Sequence, residues 1–343
     1  MSVAGVSTTL RTVLRTIESI DVDAANAISV PAEPSRYYVS SWDQALTFGA
    51  GSIIGVRHQE LGGASIPRLT AFRAGRSLER VASYLVDFTV PCGDLDADGD
   101  FVFAERTHPG EPRGTLTLRT IGCSGARAVS MGEVSGWPVA LRVMGRDRVL
   151  LWLASDDSEM LLVDVRDGRV LHRVPIEADG SSESMIEVIA DAAVVAIGHG
   201  ACQEHEMEVF DVEFERLVDR DWSVFAREGL CVVGADGPAL VTIEHSPTAV
   251  VRRRDRATGE VLAERPDSVR APFYVPPGSR DAQGWLVSTC GWHDGEAIVR
   301  IRADDLEIED VGRLPPDARV YGWPQPGVAL VADSQRVSLV RVE

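Results

Sequence analysis

A recurring distance of about 46 residues between equivalent turns constrains the fold of this chain more than any other feature of its sequence. Short apolar or alternating runs are separated by turns rich in Asp and Gly, which is typical of consecutive β-strands. Aligned on these turns, the chain advances in steps of 47, 46, 47, 44 and 46 residues. The aligned positions are Ala71, Leu118, Asp164, Asp211, Asp255 and Ile301.

Four short strands in each repeat of this length predict the blades of a β-propeller. Six full repeats run from about residue 44 to residue 314, and a seventh, which begins at residue 320, supplies three strands before residue 343. The apolar, extended segment 26–32 (NAISVPA) is predicted to supply the missing strand. The sequence thus predicts an all-β, seven-bladed propeller whose ring is closed by N- and C-terminal strands, which removes exposed sheet edges.

The segment 8–20 shows a different pattern, with apolar residues at helical spacing and charged residues between them. It predicts a short N-terminal amphipathic helix, which either packs on the body as a lead-in or docks on a partner. The predicted domains are a helical arm over residues 1–25 and a single propeller over residues 26–343. The apolar positions are Leu10, Val13, Leu14, Ile17 and Ile20.

Two pairs of segments resemble known propeller families. The turns in 255–262 (DRATGEVL) and 164–171 (DVRDGRVL) resemble the outer hairpin of WD40-like and PQQ-like repeats, which implies the fold. The Trp-Asp of WD40 repeats and the docking tryptophans of quinoprotein blades are absent from these repeats, so no partner or cofactor is implied. The segments 273–290 and 314–323 are similar to the C-terminal region of carotenoid cleavage oxygenases, but Trp323 stands where that family has its last iron-binding histidine.

Composition excludes several functions. The chain has 52 acidic and 34 basic side chains and a net charge of −18, which repels phosphate backbones, so we expect no nucleic-acid binding. It contains no lysine, which excludes a Walker A loop and Schiff-base chemistry.

The cysteines and the hydropathy predict a compartment. No apolar run approaches the ~20 residues of a membrane span, and the N-terminus does not resemble a signal peptide. Five dispersed cysteines without a CxxC pair fit reduced thiols, so we expect a cytoplasmic location and no membrane contact. They are Cys92, Cys123, Cys202, Cys231 and Cys290.

An acidic segment over residues 94–100 is the sharpest local motif. Alternating carboxylates at a tight glycine turn can converge on a hard cation, and the segment resembles the calcium hairpins of FG-GAP propellers, although Val102 replaces their last Asp. One interpretation is a structural Ca²⁺ or Mg²⁺ site, and the other is an acidic, solvent-exposed turn. The candidate metal ligands are Asp94, Asp96, Asp98 and Asp100.

Six of the seven histidines are predicted to follow the second strand of a repeat, where loops of a propeller share one face. That face is interpreted as a polar loop surface, as a partner-binding surface that also carries an exposed tryptophan, or as a metal or catalytic site. The spacing of His199, Cys202 and His205 suits zinc, but a closed site needs a fourth ligand. The candidate partner-binding residues are His58, His108, His199, His205, His245, Trp292 and His293.

No nucleophile motif supports hydrolytic chemistry, since there is no G-x-S-x-G. Arg252, Arg253 and Arg254 are predicted to lie on an outer, solvated edge. The favoured function is a non-enzymatic propeller scaffold for protein–protein interactions in a cytoplasmic, bacterial-type complex, with Ca²⁺ as its candidate ion. The alternative is a divalent-metal-dependent propeller enzyme, either a lyase or a lactone hydrolase.

Overall fold

The computed structural model is built from β-strands, and no helix occurs among the residues it describes. The all-β prediction is confirmed. The described residues are 14–21, 29–30, 45–48, 52–61, 64–74, 78–85, 93–96, 100–106, 113–122, 125–145, 147–155, 157–176, 183–189, 194–201, 204–213, 215–226, 229–245, 249–267, 279–281, 283–290, 297–315, 318–332 and 336–343.

The strands of the described residues form seven sheets, numbered here in chain order. Sheet 1 has the strand order β2-β6-β5-β4-β3, and β2 is parallel to β6 whereas the other pairs are antiparallel. Its strands are β2 Ser29–Val30, β3 Ala45–Phe48, β4 Ser52–Leu61, β5 Ala64–Ala74 and β6 Leu78–Leu85.

Sheets 2 to 4 are antiparallel and follow the chain order of their strands. They comprise β7 Gly93–Leu95, β8 Phe101–Arg106, β9 Arg113–Gly122 and β10 Gly125–Ser135 in sheet 2, β11 Trp137–Met144, β12 Arg148–Ala154, β13 Glu159–Asp164 and β14 Val170–Pro175 in sheet 3, and β15 Glu183–Ile189, β16 Val194–Ala201, β17 Glu204–Glu213 and β18 Arg216–Ala226 in sheet 4.

Sheets 5 and 6 repeat this order, whereas sheet 7 has the order β1-β29-β28-β27. They comprise β19 Gly229–Asp236, β20 Ala239–His245, β21 Ala249–Asp255 and β22 Val261–Asp267 in sheet 5, β23 Ser279–Arg280, β24 Leu286–Cys290, β25 Ala297–Ile301 and β26 Ile308–Arg313 in sheet 6, and β27 Arg319–Gln325, β28 Val328–Ala332, β29 Arg336–Val342 and β1 Leu14–Asp21 in sheet 7.

The predicted N-terminal helix is wrong over the described part of its range. Residues 14–21 form β1, which pairs antiparallel with β29 from Leu14 opposite Val342 to Asp21 opposite Arg336. Leu14, Ile17 and Ile20 are spaced as in a helix, but the segment pairs with the edge of β29 through a register shift between Thr16 and Glu18. Residues 8–13 lie outside the described residues.

The strand that completes sheet 7 also differs from the predicted one. Within the predicted segment 26–32, Ser29 and Val30 pair with Ser83 and Tyr84 of sheet 1. The N-terminal part of the chain supplies the fourth strand of sheet 7, but through β1. The division into an arm of residues 1–25 and a domain of residues 26–343 stays a prediction, although its helical arm is wrong over residues 14–21.

Apolar side chains pack between consecutive sheets. In sheet 3, Leu151 and Leu161 join a cluster with Leu118 of sheet 2, whereas Leu150 and Leu162 join a cluster with residues of sheet 4. Successive residues of a strand point to opposite faces. Sheet 3 is therefore buried on both faces, which gives β12 and β13 their continuous apolar sequences.

The turns between third and fourth strands repeat in detail in sheets 3, 5 and 6. The first residue of each turn donates its N–H to the carbonyl five residues later, and the fifth residue has positive φ. That residue is Gly168 (φ 74°), Gly259 (φ 71°) or Leu306 (φ 58°). The hydrogen bonds are Asp164 to Arg169 (2.9 Å), Asp255 to Glu260 (2.8 Å) and Arg302 to Glu307 (2.9 Å).

Two of these turns are held by an ion pair. The Arg166 guanidinium donates hydrogen bonds to both carboxylate oxygens of Asp164 and lowers the pKa of that carboxyl to about 2. Arg302 likewise lowers the pKa of Asp305 to about 2 through its hydrogen bonds. The stabilisation from the ionised Asp164 is complete above its ordinary pKa of 3.8 and is lost as the pH falls toward 2.

Polar contacts connect each sheet to the next through the middle of the chain. They are Val143 N–H to Asp94 Oδ2 (2.7 Å) between sheets 2 and 3, Leu217 N–H to His172 Nδ1 (3.3 Å) between sheets 3 and 4, Trp222 Nε1–H to the Arg256 carbonyl (3.0 Å) between sheets 4 and 5, and Arg280 Nη2–H to the Ala235 carbonyl (2.8 Å) between sheets 5 and 6.

We predict that Gly168→Ala destabilises the protein more than Gly145→Ala. Both glycines have positive φ, so both substitutions introduce a backbone strain of about 1 kcal/mol. A Cβ at Gly168 would lie 2.5 Å from the backbone oxygen of Ser130 in sheet 2, whereas nothing lies within 4 Å of one at Gly145. Denaturant unfolding should show a further loss of about 1–3 kcal/mol for Gly168→Ala. Equal losses would contradict the close contact between these sheets.

We also predict that β1 protects sheet 7. Deleting residues 1–21 removes the strand that pairs with β29, whereas deleting residues 1–13 leaves it in place. Compared with the shorter truncation, the longer one should melt at a lower temperature and aggregate more, because β29 becomes an unpaired edge. Thermal unfolding and light scattering of the two truncations measure both effects, and equal behaviour would show that β1 contributes nothing.

Candidate functional site

In the acidic segment the structure describes residues 94–96 and 100, which lie at the adjoining ends of the antiparallel strands β7 and β8, and Asp94 and Asp96 accept hydrogen bonds from different backbone N–H groups. Asp94 is buried in β7, and its Oδ2 accepts the hydrogen bond from Val143 of sheet 3. Asp96 Oδ1 accepts a hydrogen bond from the Asp100 N–H (2.9 Å), which closes the turn. Asp98 lies outside the described residues. Metal binding by this hairpin stays a prediction.

The described candidate histidines lie in strands, close to the hairpins that join second to third strands, whereas His172 lies in β14, the fourth strand of sheet 3. His58 lies within β4 opposite Pro67, and His245 is the last residue of β20. His199 in β16 pairs with Glu206, and His205 in β17 pairs with Gly200. His108, Trp292 and His293 lie outside the described residues. In the described part of the chain, no three His, Cys, Asp or Glu side chains come together as metal ligands.

The arginine run lies in β21, the third strand of sheet 5, and the prediction that it occupies an outer solvated edge is wrong. Arg252 and Arg254 bind the carboxylate of Glu244, which is only 3% exposed. Arg254 donates to both of its oxygens, at 2.9 and 3.1 Å, and the Thr242 hydroxyl donates at 2.8 Å. Arg253 pairs with Asp236 at 3.0 Å. Charge alternation alone gave no sign of a buried carboxylate opposite these arginines.

Other buried acids are also neutralised by arginine. Asp211 of sheet 4 pairs with Arg220 of its own sheet and with Arg256 of sheet 5 (2.9 Å). Asp281 of sheet 6 pairs with Arg300 (2.8 Å), whose guanidinium lies 4.7 Å from the ring centroid of Trp285. These networks hold turns and neighbouring sheets, so their carboxylates have a structural role.

Phe225 is an exposed aromatic residue that the sequence interpretation missed. Phe225 lies near the end of β18, the outermost strand of sheet 4, and is 55% exposed. It pairs with Glu206, which pairs in turn with His199, so the three residues form one row across the sheet. The run Val224-Phe225-Ala226 is apolar throughout, and only the structure shows that Val224 and Ala226 are buried and Phe225 is not.

Comparison with known proteins finds likeness in structure alone. No protein-family model matches the chain, and no curated protein sequence matches it. The periplasmic gluconolactonase PpgL of Pseudomonas aeruginosa is similar with a TM-score of 0.46 and 14% identity, over 76% of this chain and 81% of that chain. BamB from Moraxella catarrhalis is similar with a TM-score of 0.43 and 14% identity, over 96% of this chain and 98% of that chain.

The cytoplasmic location expected from the cysteines is corrected by this comparison. The gluconolactonase is a periplasmic protein, which contradicts the expectation. Dispersed cysteines do not decide the compartment, because an unpaired thiol can be buried as a small apolar side chain. Across the described ranges, the structure has no helix that is long and apolar enough to cross a membrane.

We predict that Arg254→Ala destabilises the protein by about 3 kcal/mol, because it leaves the buried Glu244 carboxylate partly uncompensated. Arg169→Ala is the matched control, since that side chain is 60% exposed and its carboxylate partners lie 3.9 and 4.0 Å away. The control should cost less than about 1 kcal/mol. Urea unfolding of both variants tests this. An unchanged free energy of unfolding for Arg254→Ala would contradict a buried role for the arginine run.

Proposed function

We propose that the protein is a non-enzymatic scaffold, a closed ring of seven blades that presents its second-to-third-strand hairpins to protein partners. Contacts around the sheets support the ring. The first strand β11 of sheet 3 lies beside the first strands β7 and β15 of its neighbours, and β27 of sheet 7 lies beside β3 and β4 of sheet 1. In the proposed ring, the first strands of the sheets lie around a common axis and the fourth strands lie outside.

The observation that carries the scaffold proposal is the recurrence of histidines at one end of neighbouring sheets. His199 and His205 flank the hairpin of sheet 4, and His245 ends the second strand of sheet 5. Neutral histidines can be buried in an interface without a charge penalty, and they offer donors and acceptors to a partner. The proposed partner-binding residues are His58, His108, His199, His205, His245, Trp292 and His293.

The histidine-bearing hairpins of sheets 4 and 5 contrast with the third-to-fourth-strand turns of sheets 3 and 6, which lie at the other end of their own sheets. At the third-to-fourth-strand turns, arginines and carboxylates of the chain bind one another, as Arg166 binds Asp164 and Arg302 binds Asp305. That end uses its charges to fix the turns. The hairpin end is therefore the better candidate for an interface.

We predict that a photo-crosslinking amino acid at His199 or at His245 captures the same partner in the native host. The control position is Ala257, which is exposed in the turn before β22 at the opposite end of sheet 5. Crosslinked products identified by mass spectrometry should share one protein for the two hairpin positions and lack it for Ala257.

A partner captured equally from all three positions, or from Ala257 alone, would contradict the hairpin surface. Elemental analysis of the purified protein separates the scaffold from the metal-dependent enzyme. A divalent ion retained at one per chain, together with no shared crosslink, would favour the enzyme.

A further inference from the structure

Phe225 and Glu206 share one face of sheet 4, the face that looks toward sheet 3. Residues directly opposite in an antiparallel pair lie on the same face, with Cβ atoms about 4.5–5.5 Å apart. Alternation along β17 places Glu206 and Glu208 on the face of Phe210, which is fully buried against sheet 3. The orientation of this face therefore follows from the packing of Phe210.

The apolar contact between sheets 3 and 4 does not extend to this pair. Phe210 and Leu217 pack with Trp152 and Leu162 of sheet 3, but Phe225 takes no part in that cluster. Toward the hairpin end, the same face continues with Glu208 and Glu206, whose side chains are partly exposed. A phenylalanine that is 55% exposed thus lies directly opposite a glutamate on the neighbouring strand.

The charge around the pair is strongly negative. Residues 204–226 contain eight acidic side chains and two arginines, and one of these, Arg220, is bound to the buried Asp211. Within the described residues, no arginine or histidine forms an ion pair with Glu206. The ring and the carboxylate therefore face solvent in a field that attracts cations.

We propose that Phe225 and Glu206 form a binding site for an arginine or lysine side chain of a protein partner. This inference rests on the proposed scaffold function and names the chemistry by which its surface recognises a partner. The cation lies over the ring of Phe225, and the Glu206 carboxylate neutralises it from the adjacent strand. The occupant is a basic segment of another protein rather than a second copy, because two chains of charge −18 repel each other.

The test uses the full chain and a short fluorescent peptide of alternating arginine and leucine as the probe. A peptide with glutamate in place of arginine should not bind. Phe225→Leu keeps an apolar side chain and removes the aromatic face, and Glu206→Gln removes the charge and keeps the shape. Each should weaken binding about two- to fivefold, as expected for an exposed cation–π contact or ion pair. Fluorescence anisotropy measures the Kd.

Two matched controls lie on other parts of the surface. Leu262→Ala alters an apolar residue that is 50% exposed on the outermost strand of sheet 5, and Glu260→Gln removes an exposed carboxylate from a turn. Neither should change the Kd. Melting temperatures of all four variants confirm that they are folded, and an unfolded Phe225→Leu leaves Glu206→Gln to decide.

Equal Kd values for the wild type, Phe225→Leu and Glu206→Gln would overturn the proposal, as would equal weakening by the controls. Sedimentation that shows self-association reduced by Phe225→Leu would also overturn it, by making the surface an interface between copies. If crosslinks from His199 and His245 capture a partner while the Phe225 and Glu206 variants bind it normally, the scaffold stands and this site fails.

Discussion

The described core depends on sheets that bury both of their faces, as sheets 3 to 6 do. A small sheet of short strands is not stable by itself in water and needs packing on neighbouring elements. Leu151 and Leu150, adjacent in β12, belong to clusters on opposite sides of sheet 3. Clusters of this kind join sheets 2 and 3, 3 and 4, 4 and 5, 5 and 6, and 6 and 7, so sheets 3 to 6 each pack on two others, which accounts for a sequence that repeats along its length.

Polar contacts then fix how neighbouring sheets lie against each other. Beside the hydrogen bond of Trp222, sheets 4 and 5 approach so closely that a Cβ at Gly259 would lie 2.7 Å from the Trp222 ring. The chain contains no lysine, so every such contact that needs a long cation uses arginine. The planar guanidinium of Arg254 reaches both oxygens of Glu244, a geometry that a lysine ammonium does not provide.

Sequence periodicity predicted the repeated body because turn chemistry and strand alternation agree there. The turns after Asp164 and Asp255 have the same hydrogen bonds, as their similar sequences indicated. Periodicity failed over residues 14–21, because their apolar residues are spaced as in a helix. Only the structure shows that this segment pairs with the open edge of β29. Neither the burial of Glu244 nor the exposure of Phe225 could be predicted, because both depend on the neighbouring sheet rather than on the strand itself.

The distribution of the arginines bears on function as well as on stability. Arg252, Arg254 and Arg256 are bound to buried carboxylates, so their charge is cancelled inside the structure. Glu244 and Asp211 each bind two arginines, so these networks take up four basic and two acidic side chains of a chain that has 52 acidic and 34 basic ones. The excess of acidic side chains therefore lies on the residues outside these networks. In the proposed scaffold, this field attracts basic partners before any contact is made, and exposed apolar residues such as Phe225 then fix where on the surface a partner is held.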